Sequence, residues 1–288
     1  MSNNNNNNTQ QQYGLGWIPD TPDIRDQYFQ LSPELIGQAL PPKKDLRTET
    51  TFLNFPILDQ GNLGSCTANC ISAAMTFAML KQGKMNSVQQ LGTMGTKPPV
   101  VNPMESAYFS PSRLFIYYNE RVKINTVNTD SGAVIRDGIK SVNSQGACKE
   151  TTWPYIIQQF TKKPPGEAYK EALNYQAIQY RRLDNHDINQ LKGCLVQGFP
   201  FVFGFSVYNS FMTAQVAKTG MMPMPSKSEK MLGGHAVLGV GYDDSKQVFI
   251  VRNSWGPNWG DKGYFYMPYK YITNLDLATD FWTITMME

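Results

Sequence analysis

The chain has 288 residues, 41% hydrophobic and 17% charged, which is enough for one large or two small packed domains. A net charge of +3, from 26 basic and 23 acidic residues, leaves no basic stripe that would neutralise phosphates, so nucleic acid and anionic membranes are excluded as partners. The four cysteines, Cys66, Cys70, Cys148 and Cys194, fit none of the zinc spacings, and no metal or cofactor is expected.

Residues 1–12 form a polar tail with an asparagine run from Asn3 to Asn8, a composition expected to stay disordered. No basic or apolar signal-peptide region follows Met1, and no window reaches the roughly 18 apolar residues of a membrane span. With so few cysteines, reduced thiols in an intracellular, cytoplasmic protein are expected. Residues 13–40 mix Trp17, Ile18, Pro19, Pro22, Tyr28, Phe29 and Leu31 with Asp20, Asp23, Arg25 and Asp26, which predicts an extended arm docked on the body.

The stretch Ser65 to Lys81 carries small and apolar residues through four turns without Gly or Pro, as a buried helix would, and Cys66 lies in its first turn. Gly83 to Pro103 reads as a long loop, and helices follow over Ser110 to Val122 and Ala133 to Asn143. Beyond Tyr180, Asp184 or Asn185 is expected to cap a short helix ending near Gly198. Strands are then expected over Phe199 to Val207, Ala236 to Gly241, Val248 to Asn253, Gly263 to Met267 and Phe281 to Thr285. This pattern predicts an α+β fold of two lobes, mainly helical over residues 41–180 and β-rich over 181–288.

A thiol at the amino end of a buried helix meets unpaired N–H groups and the positive end of the helix dipole, so its thiolate is stabilised. The preceding segment Asp59-Gln60-Gly61-Asn62-Leu63-Gly64-Ser65 is glycine-rich and lets a substrate approach the backbone, with Gly64 and Ser65 against it. The Gln60 amide and the Cys66 N–H are candidate donors to an oxyanion. Downstream, Gly233-Gly234-His235-Ala236-Val237 opens one strand and Val251-Arg252-Asn253-Ser254-Trp255-Gly256 ends the next. Neighbouring strands can bring His235 beside Asn253, whose carbonyl would fix the imidazole tautomer while Trp255 shields the bond. Cys70, Cys148 and Cys194 read as core thiols, and His186 as a solvated side chain.

Together, QGNLGSC, GGHAV and NSWGPNWGDKGYF resemble the active-site blocks of the papain and cathepsin family, with GGHAV nearest to cathepsin B. The resemblance runs from about Leu40 onward, through LPPKKDLR and Trp153-Pro154-Tyr155. It implies a papain-like cleft between a helical lobe and a β-barrel-like lobe. It also implies a peptidase acting on protein or peptide substrates, with Cys66 as nucleophile, His235 as base and acid, Asn253 as its orienter and Gln60 as oxyanion donor. Asp130-Ser131-Gly132 is similar to the family's backbone-binding glycine pair, which implies that Ser131 and Gly132, with Gly234, border the substrate.

Two departures qualify the resemblance. Leu63 stands where the family usually has a disulfide cysteine, and Thr67 replaces the aromatic residue after the nucleophile. The separations from Cys66, 169 residues to His235 and 187 to Asn253, exceed the family's roughly 130–150, so insertions are expected at Gly83 to Pro103 and Met212 to Leu232. The arm over 13–40 lacks the long helical pro-region of most cathepsins, yet it precedes the mature-like start and is a candidate inhibitory leader of a zymogen. Two alternatives stay open on the same residues: a thiol acyltransferase or transpeptidase, and a catalytically silent peptide-binding module.

Overall fold

The computed structural model describes residues 13–49, 55–83 and 109–288. The expected tail over 1–12 and nearly all of the expected loop over 83–103 lie outside the described residues. In chain order the elements are β1 (Lys43–Asp45), α1 (Cys66–Lys81), α2 (Arg113–Lys123), α3 (Ile135–Gln145), α4 (Gly166–Ala172), β2 (Gln179–Arg182), α5 (Ile188–Val196) and β3 (Phe201–Tyr208). They continue with α6 (Ala214–Thr219), β4 (Met231–Asp243), β5 (Val248–Arg252), β6 (Tyr264–Pro268), α7 (Tyr269–Ile272) and β7 (Ala278–Met286).

Helix α1 is buried on every face from Cys66 to Leu80, which is why its sequence is apolar and small without a polar stripe. Its polar members find partners inside: Ser72 Oγ donates to Pro111 O at 2.8 Å, and Thr67 Oγ1 donates to Glu120 Oε2 at 2.8 Å. Burial holds the Glu120 carboxyl far above the ordinary carboxylate range. Helix α2 starts at Ser112, whose hydroxyl accepts the Phe115 N–H at 3.1 Å, and α3 stops at Gly146, where φ is +71°.

The strands form one antiparallel sheet in the order β2-β7-β3-β4-β5-β6, with β1 added to the far end of β4. It is an open sheet with edges at β2 and β6, so the barrel-like closure expected of the second lobe does not form. Strand β4 is longer than expected, because it serves three neighbours: Met231 to Gly239 pair with β3, Leu238 to Asp243 with β5 and Gly241 to Asp243 with β1. The cap of α5 is Asp187, whose carboxylate accepts the N–H groups of Asn189 and Gln190, rather than Asp184 or Asn185. Asn185 is instead buried, donating to the carbonyls of Ile272 and Ala278. Strands β1 and β2 are short and carry charged residues, so no alternation marked them in the sequence.

Aromatic side chains fill the space behind β3. Phe203 stacks on Phe281 with centroids 4.8 Å apart, and Phe201 and Phe205 pack against it from either side. Truncating Phe203 to alanine is expected to cost about 3–5 kcal/mol of unfolding free energy, read from the urea midpoint. A loss below about 1 kcal/mol would show that this stack is not part of the core.

Candidate active site

The first residue of α1, Cys66, is completely buried, and so is His235 at the point where β4 crosses α1. The Ala236 N–H, next along β4 from His235, is directed at the Cys66 thiol. His235 pairs with Phe205 of β3, and Asn253 follows directly on β5, so neighbouring strands bring the two side chains together. His235 Nε2 lies 2.8 Å from Asn253 Oδ1. That bond makes Nε2 the N–H donor and leaves Nδ1 with its lone pair free. Nδ1 is buried and has no hydrogen bond. Trp255 stacks on the imidazole at 4.6 Å and Phe205 meets it edge-on at 5.7 Å, which keeps water from the His235–Asn253 bond.

Gln60 is held at both ends. Its Oε1 accepts Ser254 Oγ–H at 2.7 Å, while its Nε2 donates to Leu63 O at 2.9 Å and to Gly14 O at 3.0 Å. The amide expected to hold a developing oxyanion thus holds a carbonyl of residues 13–40. Ser65 shares a 2.5 Å hydrogen bond with Tyr155 OH, and Tyr155 OH donates to Gln60 O at 2.9 Å. Gly64 N–H donates to the Asp130 carboxylate, which also accepts the Tyr117 hydroxyl at 2.5 Å.

Residues 13–18 run through this site and meet Ala133 in an isolated parallel bridge at Trp17. Tyr13 stacks on Trp255 with centroids 4.4 Å apart and planes 10° from parallel. The Gly16 N–H is directed at the Cys66 thiol. Ala133 N–H donates to Gly16 O at 2.7 Å, Ile18 N–H to Ala133 O at 2.9 Å and Trp17 N–H to Gly234 O at 3.0 Å. Gly132, with φ at +73°, and Gly64 present bare backbone to Gly16, where a β-carbon on Gly16 or Gly132 would collide with the facing backbone. Gly132 and Gly234, expected to border a substrate, border the arm here, and Ala133, not Gly132, makes the ladder bonds. The Ser131 hydroxyl turns away to Thr126 Oγ1 at 2.7 Å.

Sequence reasoning singled out every group of the central constellation and passed over its supports. Tyr155, Ser254 and Asp130 each lie inside a quoted block, yet nothing in their spacing shows that they bond to Ser65, Gln60 and Gly64. Arg136 and Arg182, which bind Asp20 and Asp26 of the arm, carried no signal at all.

With the geometry in place, comparison with known proteins is informative. The profile of the papain family cysteine protease matches residues 123–283. An uncharacterized peptidase C1-like protein of Acanthamoeba polyphaga mimivirus is 42% identical, over 93% of this chain and 86% of its own. The chain belongs to the papain family of cysteine proteases. The protease also resembles the crystal structure of xylellain, a cysteine protease from Xylella fastidiosa, at 43% identity and a TM-score of 0.80, covering 97% of this chain and 98% of that one. Pro-cathepsin H of Bos taurus is 26% identical over 78% of this chain and 59% of its own. Procathepsin B of Trypanosoma congolense, 18% identical with a TM-score of 0.65 over 90% and 81% of the two chains, shares the fold. Among the described residues of the protease, no helix is long and apolar enough to cross a membrane, and no group of three or more His, Cys, Asp or Glu could hold a metal ion.

Burial, not the helix dipole, governs the thiol in this covered state. It pushes Cys66 up to about 12, against the pull of the Ala236 and Gly16 N–H groups, and it draws His235 down to about 4 against the Asn253 bond. Between those values the pair is a neutral thiol and a neutral imidazole. Alkylation of Cys66 by iodoacetamide at pH 7 is therefore expected to be slow in the intact chain, where the thiol is buried and neutral. A chain freed of residues 13–40 is expected to show a neutral-pH plateau at least about 100-fold faster at pH 7. Equal rates in the two forms, followed by peptide mapping, would contradict this account.

Proposed function

We propose that Cys66, His235, Asn253 and Gln60 carry out peptide-bond hydrolysis, and that residues 13–40 hold the enzyme as a zymogen until they are displaced or cut. The observation that carries both parts is the carbonyl of Gly14 on Gln60 Nε2, beside a histidine already oriented by Asn253.

In the working cycle His235 Nδ1 takes the Cys66 proton and the thiolate attacks the scissile carbonyl carbon. The carbonyl oxygen becomes an oxyanion held by the Gln60 amide and the Cys66 N–H. The imidazolium returns the proton to the leaving amine as the C–N bond breaks. Water, deprotonated by His235, then splits the thioester and restores the thiol. The same cycle closed by an amine would be acyl transfer; no contact in the site favours that outcome over water, and the relatives are proteases.

Chain direction explains how the leader occupies the cleft uncut. A leaving amine must lie toward His235 and Trp255, so a productive substrate runs from Gly132 toward Trp255. The leader runs the other way, with Tyr13 on Trp255 and Trp17 beside Ala133. It also offers Cys66 the Gly16 N–H, not a carbonyl carbon.

Several contacts anchor the leader. Trp17 is buried and its indole N–H donates to Asp280 Oδ2 at 3.0 Å. Arg136 is bonded to Asp20 and Asp26, Arg182 reaches Asp26 at 2.8 Å, and Phe29 N–H donates to Arg182 O at 2.8 Å along the β2 edge. The buried free thiols of Cys70, Cys148 and Cys194, with Leu63 at the disulfide position, support a reducing, cytoplasmic setting.

Labelling with an epoxide-type cysteine-peptidase inhibitor is expected to fall on Cys66 in wild type and to vanish in Cys66→Ala, with label on Cys70 rejecting the assignment. Gly16→Ala drives a β-carbon into the Gly64 backbone. It is expected to raise the activity of the uncut chain on a fluorogenic peptide at least about tenfold, since about 1.4 kcal/mol of lost docking suffices. Unchanged activity, or an uncut wild-type chain already fully active, would remove the leader from the inhibitory role.

A further inference from the structure

We propose that the cavity filled by Trp17 takes, in a substrate, an aromatic side chain with an N–H donor, read by the Asp280 carboxylate. The proposal rests on the peptidase reading and names its substrate class: peptides carrying tryptophan on the acyl side of the cut.

The cavity is cut into the sheet beside the catalytic pair. Gly204 of β3 pairs with Ala236 of β4, the residue after His235, and a β-carbon at Gly204 would enter the indole ring of Trp17. Gly234, one residue before His235, leaves room for the same ring and for the Trp17 carbonyl. Two glycines on neighbouring strands therefore hollow out the width of a bicyclic side chain, where larger residues would have filled the sheet face. The ring that occupies it is 6% exposed, so the cavity encloses nearly the whole side chain.

Its floor is polar in one place. Asp280 of β7 is 2% exposed, and its Oδ2 accepts both the Trp17 indole N–H at 3.0 Å and the Asp20 N–H at 2.9 Å. Oδ1 is buried without a hydrogen bond, 3.7 Å from the Arg182 guanidinium. The backbone of Asp280 sits at φ +61°, in the left-handed region, so the carboxylate is kept at this spot at a local cost in strain. When the leader leaves, this carboxylate loses both N–H donors and needs a replacement; an indole entering the same cavity restores one.

The charge around the cavity selects a neutral donor over a cation. Asp20, Asp23 and Asp26, the carboxylates on Arg136, all belong to the leader, and Arg182 is shared among Asp20, Asp26 and Asp280. Departure of the leader strips three carboxylates from the two guanidinium groups, leaving Asp280 beside Arg182 and Asp137 near Arg136. A lysine or arginine side chain would enter against that field, whereas an indole would not.

The test uses the protease opened by Gly16→Ala or by cutting behind Leu40, and N-acylated dipeptidyl fluorogenic substrates that differ only in the outer residue: Trp, Phe, Leu or Arg. Tryptophan is expected to exceed phenylalanine about tenfold in kcat/KM, the effect of one hydrogen bond to a charged acceptor, and to exceed arginine by more. Asp280→Gly, which suits the left-handed backbone and deletes the acceptor, is expected to bring the Trp-to-Phe ratio to about 1. Gly204→Val is expected to lower both aromatics relative to leucine. Each readout is a ratio within one variant, so a general loss of activity does not imitate it, and the wild-type ratio stands if a variant does not fold. A Trp-to-Phe ratio near 1 in the unmodified sequence, a ratio unmoved by Asp280→Gly, or arginine as the best residue overturns the proposal. Absence of turnover on every substrate overturns the peptidase reading instead; the cavity is then judged by the dissociation constants of the same Trp and Phe peptides, with the same tenfold criterion.

Discussion

The structure depends on a helix with no solvent face whose first residue meets a strand that carries a histidine. Because α1 is buried from Cys66 to Leu80, its position is set by packing all around it and cannot drift. Strand β4 crosses its start, and the pairing of β4 with β3 and then β5 fixes where His235 and Asn253 stand. The same burial disfavours both a thiolate at Cys66 and an imidazolium at His235.

Glycine is what lets residues 13–18 pass through this site. Gly14 and Gly16 alternate through the narrowest part of the cleft, against the backbone of Leu63 and Gly64, where no side chain would fit. Between and beyond them stand the residues with bulk, Leu15 and Trp17, at positions where Gly233, Gly204 and Gly234 make room. The small-large alternation of the leader is therefore complementary to small residues in the body, and the fit holds in one chain direction. Acidic residues beyond Trp17 then meet Arg136 and Arg182, so apolar burial and ion pairing reinforce each other at the end of the leader that is farthest from Trp255.

What could be read without coordinates followed from periodicity and from spacing of reactive residues. An apolar helix beginning at a cysteine, two Gly-punctuated strands bearing His235 and Asn253, and Gln60 six residues before Cys66 are all local patterns, and the sequence by itself determined them because each is decided within a few residues by backbone and side-chain chemistry. The aromatic and proline content of residues 13–40 likewise suggests a docked arm. Only the tertiary structure decided that the arm runs through the cleft with Tyr13 on Trp255 and Trp17 beside Ala133, that Gly14 takes the amide of Gln60, that the sheet stays open, and that Asp280 lies under Trp17, 263 residues away. Those outcomes depend on contacts between segments far apart in the chain, whose mutual orientation is set by packing and sheet register and leaves no trace in local composition.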